Sequence, residues 1–182
     1  MPSACTPLAT CVGVDQPLEV RRAIPEVLAR IGTQHAADIL LEELARRGED
    51  LEAALVDALY KIRTDRPAVR FRDKSVRPEL LDLARKACGL VLSPPGPDDE
   101  TRALLNIRIK RVFDLMTLLY PREDVVNAYQ NIHQGTARAA DYSLESLDIL
   151  LDRELKELLL PLIEDLPAEE RARRLRKALR LK

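Results

Sequence analysis

Six cations fall within the fifteen residues RTDRPAVRFRDKSVR, namely Arg63, Arg66, Arg70, Arg72, Lys74 and Arg77, with Phe71 among them. Guanidinium forks pair with carboxylate or phosphate oxygens, and an aromatic ring beside them can stack on a base, so this stretch could grip an anionic partner. The favoured expectation is blander: Asp65 and Asp73 neutralise part of the charge and Phe71 tucks into the core. A second basic run closes the chain, with Arg171, Arg173, Arg174, Arg176, Lys177, Arg180 and Lys182 set against only Glu169 and Glu170. Opposite these cations lie Ala172, Leu175, Ala178 and Leu179, the stripe a helix needs to cover the last apolar face of a stack, and that role is preferred to binding a membrane surface or nucleic acid. The candidate contacts to an anionic partner are therefore Arg66, Arg70, Arg72, Lys74, Arg77, Arg173, Arg174, Arg176 and Lys177.

Other reactive side chains converge poorly. His35 and His133 are the only histidines, and neither has a second ligand at a metal-binding spacing. Cys88 lies on an apolar stripe and reads as a small buried hydrophobe, while Cys5 and Cys11 fall in an N-terminal tail. The three cysteines form no close pair, which favours a reducing cytoplasm over a disulfide framework. Carboxylates mostly face a cation one helical turn away, as Glu26 faces Arg30. The run Asp98, Asp99, Glu100 is read as a helix start in preference to a metal site. No catalytic, cofactor-binding or metal residue is assigned, and a non-enzymatic chain without a cofactor is expected.

Composition bounds what can position these residues. At 46% hydrophobic and 32% charged, the 182 residues are neither disordered by composition nor built for a bilayer. VFDLMTLLY and LLLPLI are too short and interrupted to span one. A formal charge of -1 singles out no partner, and the basic C-terminus forms a local pole on a mildly acidic body. MPSACTPLATCVGVDQP lacks the basic start and long apolar core of a signal peptide, so residues 1–17 read as a tail.

From residue 18 onward the chain reads as helix after helix. Val20, Ala23, Ile24, Val27, Leu28 and Ile31 share one face at 3.6 residues per turn. The same steps recur at Leu51, Ala54, Leu55, Ala58, Leu59 and Ile62, each 31 residues after its counterpart, which is an internal repeat. Between them Ala37, Leu40, Leu41, Leu44 and Ala45 mark a second helix, entered through GTQ and left at Gly48. Residues 63–78 read as a loop, and so do residues 93–98 with their Pro and Gly cluster. A helix on Leu80, Ala84, Ala87, Cys88 and Val91 lies between the two loops. Next comes the longest helix, about 99 to 120, with Leu105, Ile109, Val112, Phe113, Met116, Leu119 and Tyr120 on its apolar face. Stripes on Val125, Ala128, Tyr129 and Ile132, on Ala140, Leu144, Leu147 and Leu151, and on Leu155, Leu158, Leu159, Leu162, Ile163 and Leu166 follow. Pro167 opens a final basic helix over 167–182. The spacing predicts an all-α chain of about nine helices and no sheet, a right-handed α-solenoid of stacked antiparallel helix pairs over 18–166 with 167–182 as its cap.

VRRAIPEVLARIG, followed by a second helix and then ALVDALYKIR, resembles HEAT-type repeats: a Val-Arg entry, a small residue at Ala23, a kinking proline at Pro25 and an Ile-Gly exit at Ile31 and Gly32. KRVFDLMTLLYPREDVVNAYQNI and SLESLDILLDRELKELLLPLIED are similar to the HEAT-repeat portion of bacterial proteins in which the array follows a membrane domain like that of nucleotide transporters. The resemblance covers most of residues 19–166 and implies a scaffold for protein–protein interaction. It also implies a regulatory module of a transporter, in the cytoplasm or held at the inner face of the membrane by its partner. No membrane helix and no cyclic-nucleotide pocket is present to carry over. The alternative is a HEAT-like nucleic-acid binder or alkylpurine glycosylase, disfavoured because the chain has no Trp and only 3% aromatics. A bilin lyase or chaperone is a third expectation that no residue specifically supports.

Overall fold

The computed structural model describes residues 18–46, 49–93 and 98–181. Among them the chain forms nine helices and no strand: α1 Leu18–Ile31, α2 Gln34–Arg46, α3 Glu49–Asp65, α4 Asp73–Leu92, α5 Asp99–Leu119, α6 Arg122–Gln134, α7 Ala137–Leu150, α8 Arg153–Ile163 and α9 Ala168–Ala178. The expected all-helical chain is observed. It divides into two compact units between Glu79 and Leu80, inside α4. Cys5, Cys11 and the helix stop expected at Gly48 lie outside the described residues.

In the first unit α1 packs on α2 and α3, and α2 packs on α3. Helix α1 runs unbroken through Pro25, which lacks the N–H that would bond the Arg21 carbonyl. It ends where Gly32 turns left-handed at φ 60°, with the Gly32 N–H donating to the Leu28 carbonyl at 3.0 Å. Thr33 then caps α2, its hydroxyl accepting from the Ala36 N–H at 3.2 Å.

The repeat shows in burial, with one difference. Ile24, Pro25 and Leu28 of α1 and their counterparts Leu55, Val56 and Leu59 of α3 are all buried. Val20 and Val27, however, are 45% and 42% exposed, whereas their counterparts Leu51 and Ala58 are 0% and 4% exposed. Helix α3 buries Leu51 and Ala58 as well as Leu55, Val56 and Leu59. Helix α1 turns Ile24, Pro25, Leu28 and Ala29 inward and leaves the arc of Val20, Ala23 and Val27 exposed.

Two boundaries differ from the sequence reading. The stretch 63–78 is not one loop: α3 continues to Asp65 and α4 begins at Asp73, leaving 66–72 between them. Pro78 sits in the second turn of α4, where one missing N–H is the main penalty and the residue stays exposed to water. The last helix spans Ala168–Ala178, with Pro167 at its N-cap rather than inside its first turn.

In the second unit α5 packs on α6, α6 on α7, α7 on α8, and α8 on α9. Local chemistry places the ends. Asp98 accepts from the Thr101 N–H at 2.8 Å and starts α5, so the acidic run begins a helix as expected; hydrogen bonding from Thr101, its side chain first and its N–H second, lowers the Asp98 pKa. Thr136 caps α7. Asp152 caps α8 through the Glu154 and Leu155 N–H groups and also accepts from the Tyr120 hydroxyl at 3.0 Å. From Val112 to Leu118 helix α5 is buried on all sides, which gives the unit its centre.

Arg171 departs from the expected wet face. Half-buried, it donates from Nε to the Pro161 carbonyl at the end of α8 and from a terminal nitrogen to the Glu164 carbonyl, which also accepts from the Leu166 N–H, all at 3.0 Å. Arg171→Ala is expected to cost about 1.5–2 kcal/mol, read as a lower urea midpoint, because hydrogen bonds from a charged donor exceed neutral ones. An unchanged midpoint would show that water replaces the guanidinium without loss.

Candidate functional site

Both sequence-derived basic clusters are present, but their cations differ in availability. In the first, Arg77 is half-buried and forks onto Asp73, with nitrogen–oxygen distances of 2.7–3.0 Å. Both residues lie in the first turns of α4, so the expected partial neutralisation is intramolecular and local. Arg66, Arg70, Arg72 and Lys74 are exposed and form no ion pair with a described carboxylate, while Phe71 is half-buried. The backbone of this segment is pinned. Gln34 of α2 accepts from the Arg70 N–H and donates to the Arg70 carbonyl, both at 2.9 Å. Its amide nitrogen also donates to Asp38 at 3.0 Å, and Val69 and Val76 are buried on either side.

In the second cluster the arginines are largely spoken for. Glu170 holds both Arg173, at 2.5 Å, and Arg174, at 2.8 Å, and Arg174 also reaches Glu164 at 2.9 Å. The Arg173 and Arg174 hydrogen bonds hold the Glu170 carboxyl down to about 2, well below an ordinary glutamate, so it is ionised at neutral pH. These side chains line an open groove of about 650 Å³ between α8 and α9, whose walls carry both carboxylates and cations. Arg176 and Lys177 stay exposed, and Leu175 is fully buried where α9 lies on α8. Of the nine candidate contacts, Arg66, Arg70, Arg72 and Lys74 in the first cluster and Arg176 in the second thus present a charge with no described ionic partner, while Lys177 acts on Glu157.

Cys88 and His133 have packing roles, while His35 is exposed on α2. The Cys88 thiol donates to the Leu158 carbonyl at 3.6 Å and is pushed up to about 12 by burial, so it stays protonated at neutral pH and is a poor nucleophile. His133 stacks on Tyr129 with ring centroids 4.2 Å apart, its Nδ1 3.0 Å from the Tyr129 carbonyl oxygen. Lys110 sits 5.6 Å over the same Tyr129 ring and pairs with Asp114 at 2.5 Å. Among the described residues no cluster of three or more His, Cys, Asp or Glu could hold a metal ion, and no helix is long and apolar enough to cross a membrane.

A third surface escaped the sequence reading. Between α6 and α7 runs an open groove of about 500 Å³ lined by Asn127, Asn131, Tyr142, Ser146, Ile149 and others. Asn131 donates to the Ser143 hydroxyl at 3.1 Å and so joins the two helices. Tyr142 and Ile149 stand seven residues apart on α7, 71% and 86% exposed. The signal was legible: both lie off the buried stripe of Leu147 and Leu151, and an apolar pair two turns apart on a wet face has no role in the helix's own packing. Comparison of the chain with protein-family models, with curated proteins and with solved structures finds no match.

Proposed function

We propose that this chain is a non-enzymatic helical-repeat scaffold that binds another protein through its helix surfaces. The observation that carries the reading is the α6–α7 groove. Two large apolar side chains, Tyr142 and Ile149, are held in water beside amide and hydroxyl groups that can serve a peptide backbone. A rigid aromatic next to hydrogen-bonding side chains is a composition typical of protein interfaces. Within the proposal the helices stack as a right-handed solenoid of HEAT-type pairs. The 31-residue repeat relating α1 to α3, and the packing of α1 on α3 with α2 against both, support this stacking. The resemblance to arrays that follow a transporter-like domain extends the proposal to a regulatory module working in the cytoplasm beside a membrane partner.

Panning a displayed peptide library on the folded chain tests the reading. Enriched peptides are expected to carry an aromatic or branched apolar residue and to lose binding at least about tenfold to a Tyr142→Ser, Ile149→Ser double variant. Both positions are exposed, so the variant should stay within about 0.5 kcal/mol of the parent's stability. No enrichment, or binders indifferent to the double variant, would sink the proposal.

A further inference from the structure

We propose that the 66–74 segment is a pre-ordered docking site for an acidic polypeptide segment. It is a second surface, independent of the α6–α7 groove. Four cations occur in nine residues, and Arg66, Arg70, Arg72 and Lys74 are all exposed and unengaged by described carboxylates. Three of the four are arginines, whose planar forks take both oxygens of a carboxylate at once.

Order is what separates this segment from an ordinary charged loop. Gln34 occupies both the N–H and the carbonyl of Arg70, and Asp38 fixes the Gln34 amide in turn. The Val69 N–H donates to the Arg66 carbonyl at 3.0 Å, and the Arg72 carbonyl accepts from Ser75 and Val76 at 3.0 and 3.2 Å. The stem of Arg66 lies across Gly32, so close that a Cβ on Gly32 would stand 2.8 Å from Arg66 Cγ. With the backbone groups engaged, side-chain charge is what the segment offers a partner. The entropy of ordering it is already spent on folding, so a partner loses less on binding.

An acidic peptide fits this patch better than an extended polyanion. Tight duplex binding at physiological salt draws on roughly six to ten phosphate contacts, more than this segment supplies. Phe71, the lone aromatic of the segment, is half-buried and forms no open stacking platform. The chain as a whole is formally -1 although it holds two basic runs, so the rest of it is acidic and opposes a long polyanion or a charged membrane. A short acidic segment meets the cations alone.

Fluorescence anisotropy of labelled hexaglutamate with the full chain is the test, with hexaglutamine, a 20-base-pair duplex and phosphatidylserine vesicles as the other probes. Hexaglutamate is expected to bind at low salt and hexaglutamine not. An Arg70→Gln, Arg72→Gln, Lys74→Gln variant should weaken hexaglutamate binding about tenfold, and Gln34→Ala, which keeps every charge, about threefold. Arg176→Gln with Lys177→Gln should leave it unchanged, and circular dichroism should show parental helicity throughout. The proposal is overturned by absence of hexaglutamate binding, by parental affinity in the triple variant or in Gln34→Ala, or by duplex or vesicles binding more tightly through the same three residues.

Discussion

Phe113→Ala is expected to lower stability by about 3–5 kcal/mol, read as a fall in urea midpoint at unchanged slope. Phe113 is 2% exposed and sits in the stretch of α5 that is buried on all sides. Its ring meets Tyr129 of α6 edge to face, with centroids 5.2 Å apart and planes at 62°. Truncation therefore removes transfer energy, leaves a void between two helices, and deprives Tyr129 of its edge-to-face partner, while His133 and Lys110 remain against its ring. Residues Val112, Leu115 and Met116 around it are fully buried and already packed, so little collapse into the void is available. A loss below about 1 kcal/mol would show that α5 and α6 can close the gap, and that the second unit is not centred on this contact.

Gly32→Ala is expected to cost about 1–2 kcal/mol, because an L-residue pays that to adopt the left-handed conformation found here. The new methyl would also meet Arg66 at 2.8 Å, although that flexible side chain can swing away. Gly32→Asn should cost less than Ala despite its bulk, since asparagine tolerates this region of backbone space. Thermal unfolding of the two variants against the parent checks the order. If Ala and Asn were equal, displacement of Arg66 rather than backbone strain would be the dominant cost.

Much of the helical layout was legible because it rests on local physics. Asp98 and Asp152 cap by bonding N–H groups two or three residues away, and Gly32 stops α1 by its own freedom at φ 60°. Continuation of α1 through Pro25 was legible for the same reason, since the apolar spacing persists on both sides of it. The 63–78 stretch is helical at both ends although it carries Pro67 and Pro78. Pro78 is tolerated early in α4, and part of the charge in the stretch belongs to an Asp73–Arg77 pair one helical turn apart, which no apolar stripe announces.

The sequence by itself determined where helices form, since periodicity and capping are settled within a few residues of each position. Which of two apolar arcs on α1 is buried, which arginines are already paired, that Gln34 pins Arg70 across 36 residues, and that a groove opens between α6 and α7 were decided only by tertiary structure. Those outcomes depend on which surfaces meet, and neighbours in space are not written in the spacing of any one helix.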